Sequence, residues 1–328
     1  MAHHARTNRP ASDRVNLYQQ ITDRIIAELE AGRVPWVQPW GTTHAAIGMP
    51  HNAVSSRQYS GINILTLWNA VVERGFRTHA FLTFRQAIAL GGSVRRGERG
   101  IGIIYTRRFV PREERRRADV EGRDPSDGIP FLKWFTVFSV DQCDGLPAHI
   151  AEPPPPIPEG LILPQVEELI TATGADFRVG GASAYYSPSH DYVQVPRPDA
   201  FHDPINWHRT ACLELTHWSG GRTRLDRDQT GFFGSTSYGK EELVAEMGAA
   251  FVCAALGITP TVRHADYIGS WLEIIREDSR AILRAASAAS KAADYLLAFR
   301  PESAIAADDD DGDPEGDDGM SLDGRAAA

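Results

Sequence analysis

The sequence predicts a protein of the α+β class, with a mixed first half and a mostly helical second half. Apolar residues recur at helical spacing in both halves. β-branched and aromatic residues concentrate in the runs 102–109 and 134–140, as in strands. A proline-rich run, 153–158, marks a connector, and 328 residues are enough for two domains, each with its own core. We therefore expect an α+β domain over 12–150, a Pro-rich linker over 151–164, a mostly helical domain over 165–300 and a disordered acidic tail over 301–328.

The helices of the first half are bounded by glycine. They are predicted over 15–31, 62–74 and 83–90, and each is followed by a glycine, which commonly ends helices. The segment 35–59 is rich in Trp, Pro and Gly and is predicted to be a loop. The segment 111–127 lies between the two strands and is dominated by charged residues, so it is also predicted to be a loop.

The second half is predicted to hold one strand pair, over 184–195, among helices. The tail, 301–328, contains 10 acidic residues and one basic residue, so it cannot bury a core and should be disordered. The predicted helices cover residues 166–173, 206–218, 240–256, 267–284 and 288–299.

The charge of the chain is unevenly distributed. The net charge is −9, yet residues 1–150 carry 20 Lys and Arg against 14 Asp and Glu. All but one of these cations are arginine, which suits phosphate contacts and stacking on bases. The first half is therefore the candidate for binding a polyanion.

Composition also indicates a compartment. We find no apolar core of a signal peptide and no apolar run of about 18 residues, so we expect a cytoplasmic protein without a membrane partner. The three cysteines, Cys143, Cys212 and Cys253, are widely spaced and form no CxxC pair. They are predicted to be reduced thiols.

The pentapeptide 213–217, Leu-Glu-Leu-Thr-His, resembles the H-E-x-x-H motif of zinc proteases except at its first residue. In that motif two histidines one helical turn apart bind the metal, and the glutamate deprotonates the metal-bound water. Glu214 and His217 are in place, but Leu213 stands where the first histidine would be, and leucine cannot bind a metal.

A second helix offers two carboxylates. Glu242 and Glu246 are one turn apart and face the same way. We predict Glu242 as a metal ligand and Glu246 as a carboxylate that orients a ligand histidine. The alternative stays open, because an isolated E-x-x-H arises by chance and an E-x-x-x-E pair is often a solvated helix face.

Aromatic and basic residues alternate in the first half, as in proteins that stack on unpaired bases. A glycine-rich turn over 91–100 adds three arginines suited to phosphate. Taken singly, each tryptophan is more often a core residue, and the arginines more often belong to a solvated turn. The candidate DNA-binding residues from this pattern are Trp36, Trp40, Arg57, Tyr59, Asn63, Arg95, Arg96 and Arg99.

These motifs occur in an order that resembles the ArdC-type antirestriction proteins of mobile elements. The runs 184–192, 209–220 and 241–251 look like the zincin-like metallopeptidase domain of that family. The runs 59–63 and 83–87, with the 91–100 turn and 137–142, look like its N-terminal single-stranded-DNA-binding domain, and a similar domain precedes primase-like conjugation proteins. The second of these runs adds Arg85 to the DNA-binding candidates.

The resemblance implies a zinc or other divalent metal site with Glu214 as base, His217 as a retained ligand and Glu242 as a third ligand. The family normally has histidine at the position of Leu213, so metal binding and hydrolysis are expected to be impaired. The implied function is that of an antirestriction accessory protein that binds single-stranded, and possibly double-stranded, DNA. Two alternatives stay open: a working metallopeptidase recruited to DNA, and a degenerate protease cleft that binds a host protein or peptide.

Overall fold

The computed structural model describes residues 11–37, 45–109, 129–152, 159–232, 234–261 and 267–300. The first half contains helices α1 (Ala11–Glu30), α2 (Ile62–Arg74), α3 (Phe84–Ala89) and α4 (Ala148–Ala151), with strands β1 (His51–Asn52), β2 (Ala80–Leu82), β3 (Ser93–Val94), β4 (Ile101–Phe109), β5 (Ile129–Ser139) and β6 (Cys143–Asp144). Its main sheet has the order β1-β2-β5-β4. The predictions for the loop 111–127, the proline run 153–158, the tail 301–328 and Trp40 fall outside the described residues.

The second half surrounds a small sheet with helices. It contains α5 (Glu159–Ala172), α6 (Pro204–Ser219), α7 (Thr236–Ala255), α8 (Ile268–Glu277) and α9 (Ala281–Leu297), with strands β7 (Asp176–Val179), β8 (Tyr185–Ser187) and β9 (Tyr192–Val195). The predicted strand pair is confirmed as β8 and β9, which are antiparallel. β7 joins them parallel to β9 and was not predicted. The α+β class is thus confirmed.

One helix boundary was predicted wrongly. The sequence pattern predicts a break near residue 286, but the structure breaks the helix between Glu277 and Ala281 and runs α9 on without interruption. Asp278 is extended there and accepts a hydrogen bond from the backbone N–H of Arg280 at 2.9 Å. An aspartate that binds nearby backbone N–H groups competes with the helix, which explains the break.

The buried apolar residues of both halves form one continuous cluster. Trp36 packs edge-to-face on Trp271, with ring centroids 5.4 Å apart, and Trp68 does the same on Phe251 at 5.6 Å. Each such aromatic pair contributes roughly 0.5–1.5 kcal/mol beyond the apolar area it buries. Long-range burial of these large rings therefore joins the halves.

Hydrogen bonds cross the same boundary. The backbone N–H of Gly61 donates to Ser290 Oγ at 2.7 Å, and Thr22 Oγ1 donates to the carbonyl of Ser279 at 2.6 Å. The α2 helix is consequently fixed against α7 and α9, the helices behind the candidate cleft. None of the helices in the described part of the chain is long and apolar enough to span a lipid bilayer.

Candidate functional site

The α6 helix presents Glu214 and His217 on one face. It begins at Asp203, whose side chain accepts a hydrogen bond from the backbone N–H of Ile205, and Pro204 occupies the first turn. Residues three apart lie side by side on a helix, so the E-x-x-H spacing directs both side chains to the same cavity. Both line it in the structure.

Two consecutive glutamates of α7 hold the ring of His217. The His217 Nδ1 atom lies 3.3 Å from Glu241 Oε1, and the Nε2 atom lies 3.7 Å from Glu242 Oε1. All three side chains are largely buried. Each ring nitrogen therefore faces a carboxylate.

Glu241 is anchored by two further residues from the loop after α6. Arg227 Nε donates to Glu241 Oε2 at 3.0 Å and Nη2 donates to Oε1 at 2.7 Å, which makes a bidentate pair. Gln229 Nε2 donates to Glu241 Oε1 at 3.0 Å. Arg227 also donates to the carbonyl of Thr216 at 2.7 Å, so the same side chain ties α7 to the end of α6.

The electrostatics of this cluster follow from these contacts. Burial alone lowers the pKa of His217, but the hydrogen bond to Glu241 and the negative charges of Glu242 and Glu214 raise it to about 9. Burial alone raises the pKa of Glu241, but hydrogen bonds from His217 and Arg227 lower it to about 2. A charged imidazolium between carboxylates is the stable form of this arrangement.

The cluster forms one wall of a cavity of about 250 Å³. Tyr238 stands beside Glu242, and burial together with hydrogen bonding to Tyr267 and Glu242 raises the pKa of Tyr238. The opposite wall comes from β8 and the loop after it. The lining residues are Ala184, Tyr185, Tyr186, Pro188, Glu214, His217, Asp228, Gln229, Gly231, Ser237, Tyr238, Glu241 and Glu242.

Leu213 is 2% exposed and belongs to the core. The donors left for a metal are His217 Nε2 and Glu242 Oε1, whereas catalytic zinc sites keep three protein ligands. Within the described residues no group of three or more His, Cys, Asp or Glu side chains could hold a metal ion. Among the described residues, these two donors are fewer than the three protein ligands of such a site.

The other candidate from this half lies elsewhere. Glu246 is buried at 2% exposure and does not line the cavity, whereas Glu241 makes the hydrogen bond to His217 that was predicted for Glu246. The position of Glu241 next to Glu242 could have identified it from the sequence. Arg227 and Gln229 belong to no recognisable motif, so the sequence could not have identified them.

The predicted DNA-binding residues divide into exposed and structural groups. Trp36 is completely buried on Trp271, so its ring cannot stack on a base. Asn63 donates through Nδ2 to the carbonyl of Ile104 at 2.7 Å and accepts from the N–H of Ile104 at 2.8 Å. Tyr59 is half-buried and packs on Phe81. These three residues pack in the core or bind the backbone, so the structure does not place them as DNA contacts.

The arginine candidates lie at the surface. Arg57, Arg85, Arg96 and Arg99 are exposed. Arg95 pairs with Glu98 at 2.9 Å and with Asp144 at 3.4 Å, which fixes the 91–100 turn.

The exposed aromatic rings in the described part of this half belong to residues that were not predicted to bind DNA. Phe84 is 52% exposed, next to Arg85, and Tyr105 and Trp134 of the β4–β5 hairpin are 44% and 41% exposed. Phe84 belonged to a run cited for the family resemblance, but the pattern could not distinguish exposed rings from buried ones.

Comparison with known proteins gives consistent matches over both halves. Residues 15–138 match the model for the N-terminal domain of anti-restriction factor ArdC, and residues 164–288 match the model for a zincin-like metallopeptidase. Crystal structures of the antirestriction protein ArdC from plasmid R388, metal-free and Mn(II)-bound, each superpose with a TM-score of 0.71 at 38% identity, covering 86% of this chain and 97% of theirs.

Two sequence relatives extend the comparison. An uncharacterized protein, y4eC of Sinorhizobium fredii (strain NBRC 101917 / NGR234), is 38% identical over 300 residues, which are 89% of this chain and 95% of that protein. DNA primase TraC of Escherichia coli is 35% identical over 297 residues, which are 86% of this chain but only 27% of TraC. The chain thus spans about a quarter of that primase.

Proposed function

This chain belongs to the ArdC family of antirestriction proteins, and from that premise we propose that its two halves have separate tasks. The first half binds single-stranded DNA. The second half is a zincin scaffold whose metal site is impaired. The whole chain acts as an accessory protein of a mobile element that shields incoming DNA from restriction.

One observation carries the proposal for the second half: the leucine at position 213 in the core, where a metal ligand would be needed. The zincin-like domain and the Mn(II)-bound ArdC structure indicate a divalent metal for the family. His217 Nδ1 lies 3.3 Å from Glu241 Oε1 and His217 Nε2 lies 3.7 Å from Glu242 Oε1, so both ring nitrogens face carboxylates. An impaired metal site in this half would make DNA binding the main activity of the chain.

The proposal for the first half is supported by its surface. Exposed aromatic rings can stack on unpaired bases, at roughly 1–3 kcal/mol per base, and arginines can follow the phosphates. Phe84 and Trp134 supply such rings, and Arg57, Arg85 and Arg99 supply cations.

The metal content of the purified protein tests the second half. We expect less than one equivalent of Zn²⁺ or Mn²⁺ per chain in the wild type and about one in Leu213→His, because the histidine restores a third donor. Leu213→Met, which is apolar and of similar volume, is the matched control and should stay empty. A stoichiometric metal in the wild type would overturn the proposal for this half.

Fluorescence anisotropy tests the first half. The full chain should bind a labelled single-stranded oligonucleotide, with an affinity that weakens as salt rises because phosphate contacts release counterions. A duplex of the same sequence gives the comparison. Absence of single-strand binding at low salt would overturn the proposal for the first half, whatever the metal content.

A working metallopeptidase is the second candidate, and a specific observation favours it. Glu214, His217 and Glu242 all line one cavity, the arrangement that hydrolysis needs if an unassigned ligand completes the site. In that case Glu214→Ala abolishes cleavage of a denatured protein substrate and leaves DNA affinity unchanged. A wild type that cleaves nothing would remove this candidate.

Peptide binding in the cleft is the third candidate. β8 pairs only with β9 among the described strands and lines the cavity, so its other edge can pair with an extended peptide. Capture of a host protein that depends on β8 and not on added metal would favour this candidate over the peptidase.

A further inference from the structure

A second cavity, of about 230 Å³, lies in the first half between α1, α2 and the start of β4, and we call it the α1–β4 pocket. Ligand pockets for drug-sized molecules measure roughly 300–1,000 Å³, so this one suits a single ring system. Its lining includes Arg24, Asn69, Arg74, Gly102 and Trp134.

Asn69 brings an unused polar group to this pocket. The residue is only 8% exposed, and within the described part of the chain its Nδ2 atom has no hydrogen-bond partner. A buried donor without a partner destabilises the folded chain, and a leucine on the same helix face would avoid that cost. The amide is therefore placed for something that enters the pocket.

The edge of β4 adds backbone groups. In the described sheet β4 pairs only with β5, and the backbone N–H and carbonyl of Ile104 point away from β5 to Asn63. Residues two apart on a strand direct their backbone groups to the same side. The N–H and carbonyl of Gly102 consequently point out of the sheet edge, at the pocket that Gly102 lines.

Trp134 supplies a flat apolar wall. A Cβ atom on Gly102 would lie 1.5 Å from Trp134 Cζ2, so the indole rests directly on the glycine backbone. The ring is nevertheless 41% exposed and lines the pocket. One face of the indole is thus held by the strand while the ring stays open to a stacking partner.

Two arginines, Arg24 and Arg74, also line the pocket. Arg24 pairs with Glu73 at 2.7 Å and is 46% exposed. The guanidinium of Arg74 donates to the carbonyl of Arg99, which ends the glycine-rich turn. A strand of nucleic acid that crosses this turn would bring its phosphates to the arginines and its bases to the pocket.

We propose that the α1–β4 pocket takes one nucleobase of a DNA single strand, which stacks on Trp134 and hydrogen-bonds to Asn69 Nδ2 and the backbone of Gly102. This inference rests on the proposed DNA-binding function and adds to that function a contact that recognises a base. A free nucleotide offers the same ring chemistry, so the test separates the two sources.

The test compares single-strand affinity of the full chain with that of Asn69→Leu. The substitution is close to isosteric and removes an unpartnered amide, so the melting temperature should be equal or higher. Affinity for the best-bound homopolymer should fall about tenfold, and the preference among dT, dA and dC oligonucleotides should disappear. Gln19→Leu on exposed α1 is the matched control and should retain both.

Abasic oligonucleotides and free nucleotides complete the test. An abasic strand loses both the stacking on Trp134 and the hydrogen bond to Asn69, so it should bind the wild type more weakly than an intact strand binds Asn69→Leu, and Asn69→Leu should bind the abasic strand as weakly as the wild type does. If Asn69→Leu keeps wild-type affinity and base preference, the pocket proposal fails while DNA binding stands.

If no single strand binds, the pocket proposal and the proposed single-strand binding both fail. If nucleoside monophosphates compete as well as the strand at equal base concentration, the site is one for free nucleotides and the proposal is overturned.

Discussion

Charged hydrogen bonds link the residues of the cleft. Glu241, which carried no assigned role in the sequence, makes the hydrogen bond to His217 and takes the bidentate pair with Arg227. Its neighbour Glu242 faces the other ring nitrogen. His217 thus faces two carboxylates, and Arg227 compensates the charge of Glu241.

His79 makes stability depend on pH. Burial, and to a lesser degree the charge of His51, lower the pKa of His79 to about 4, although its hydrogen bond to the carbonyl of Ala46 opposes this. The ordinary value is 6.5, so between these two values the unfolded chain binds a proton that the folded chain does not. Stability therefore falls as pH decreases through this window.

We expect the wild type to lose about 2 kcal/mol of unfolding free energy between pH 7 and pH 5 through His79, as the pKa difference requires. His79→Gln keeps a donor toward Ala46 but does not titrate, so it should lose less over the same range. Urea denaturation at the two pH values measures both proteins. Equal losses would show that His79 is not responsible.

At the scale of elements, Arg227 joins the loop after α6 to both helices of the cleft. It contacts Glu241 of α7 and the carbonyl of Thr216 at the end of α6. Buried pairs are poor sources of net stability, but breaking one leaves a buried charge without compensation.

Arg227→Met should therefore lower the unfolding free energy by about 3 kcal/mol. Adding Glu241→Gln to Arg227→Met should recover part of the loss, because the stranded carboxylate is gone. Arg284→Met, which breaks the exposed pair with Asp278, is the control and should change stability by no more than about 0.5 kcal/mol. A loss as large in the control as in Arg227→Met would contradict this account.

At the scale of the whole molecule, one core serves both halves. Trp271 of α8 packs on Trp36, and Phe251 of α7 packs on Trp68 of α2. The predicted DNA-binding half thus contacts the helix that carries Glu241 and Glu242 through buried side chains.

Because of this shared core, the halves should unfold together. We expect a single thermal transition, with coincident curves from far-ultraviolet circular dichroism and calorimetry. Trp271→Leu should lower the midpoint of the whole transition and not split it. Two transitions, only one of which shifts in Trp271→Leu, would show that the halves fold independently.

The sequence by itself determined the features that depend on local pattern. The α+β class, the bounds of α2 and α3 and the strands β4 and β5 follow from apolar periodicity and glycine stops. The spacing of Glu214 and His217 on one helix face is also local.

Only the tertiary structure decided which residues are buried and which partner they meet. Strands of two or three residues such as β1, β2 and β3 exist through long-range pairing, so no local pattern marks them. The burial of Trp36, the choice of Glu241 over Glu246 and the unpartnered amide of Asn69 each depend on segments far away in the chain. Local sequence sets what a side chain can do, whereas packing across the chain sets what it does, because burial and hydrogen-bond partners come from distant residues.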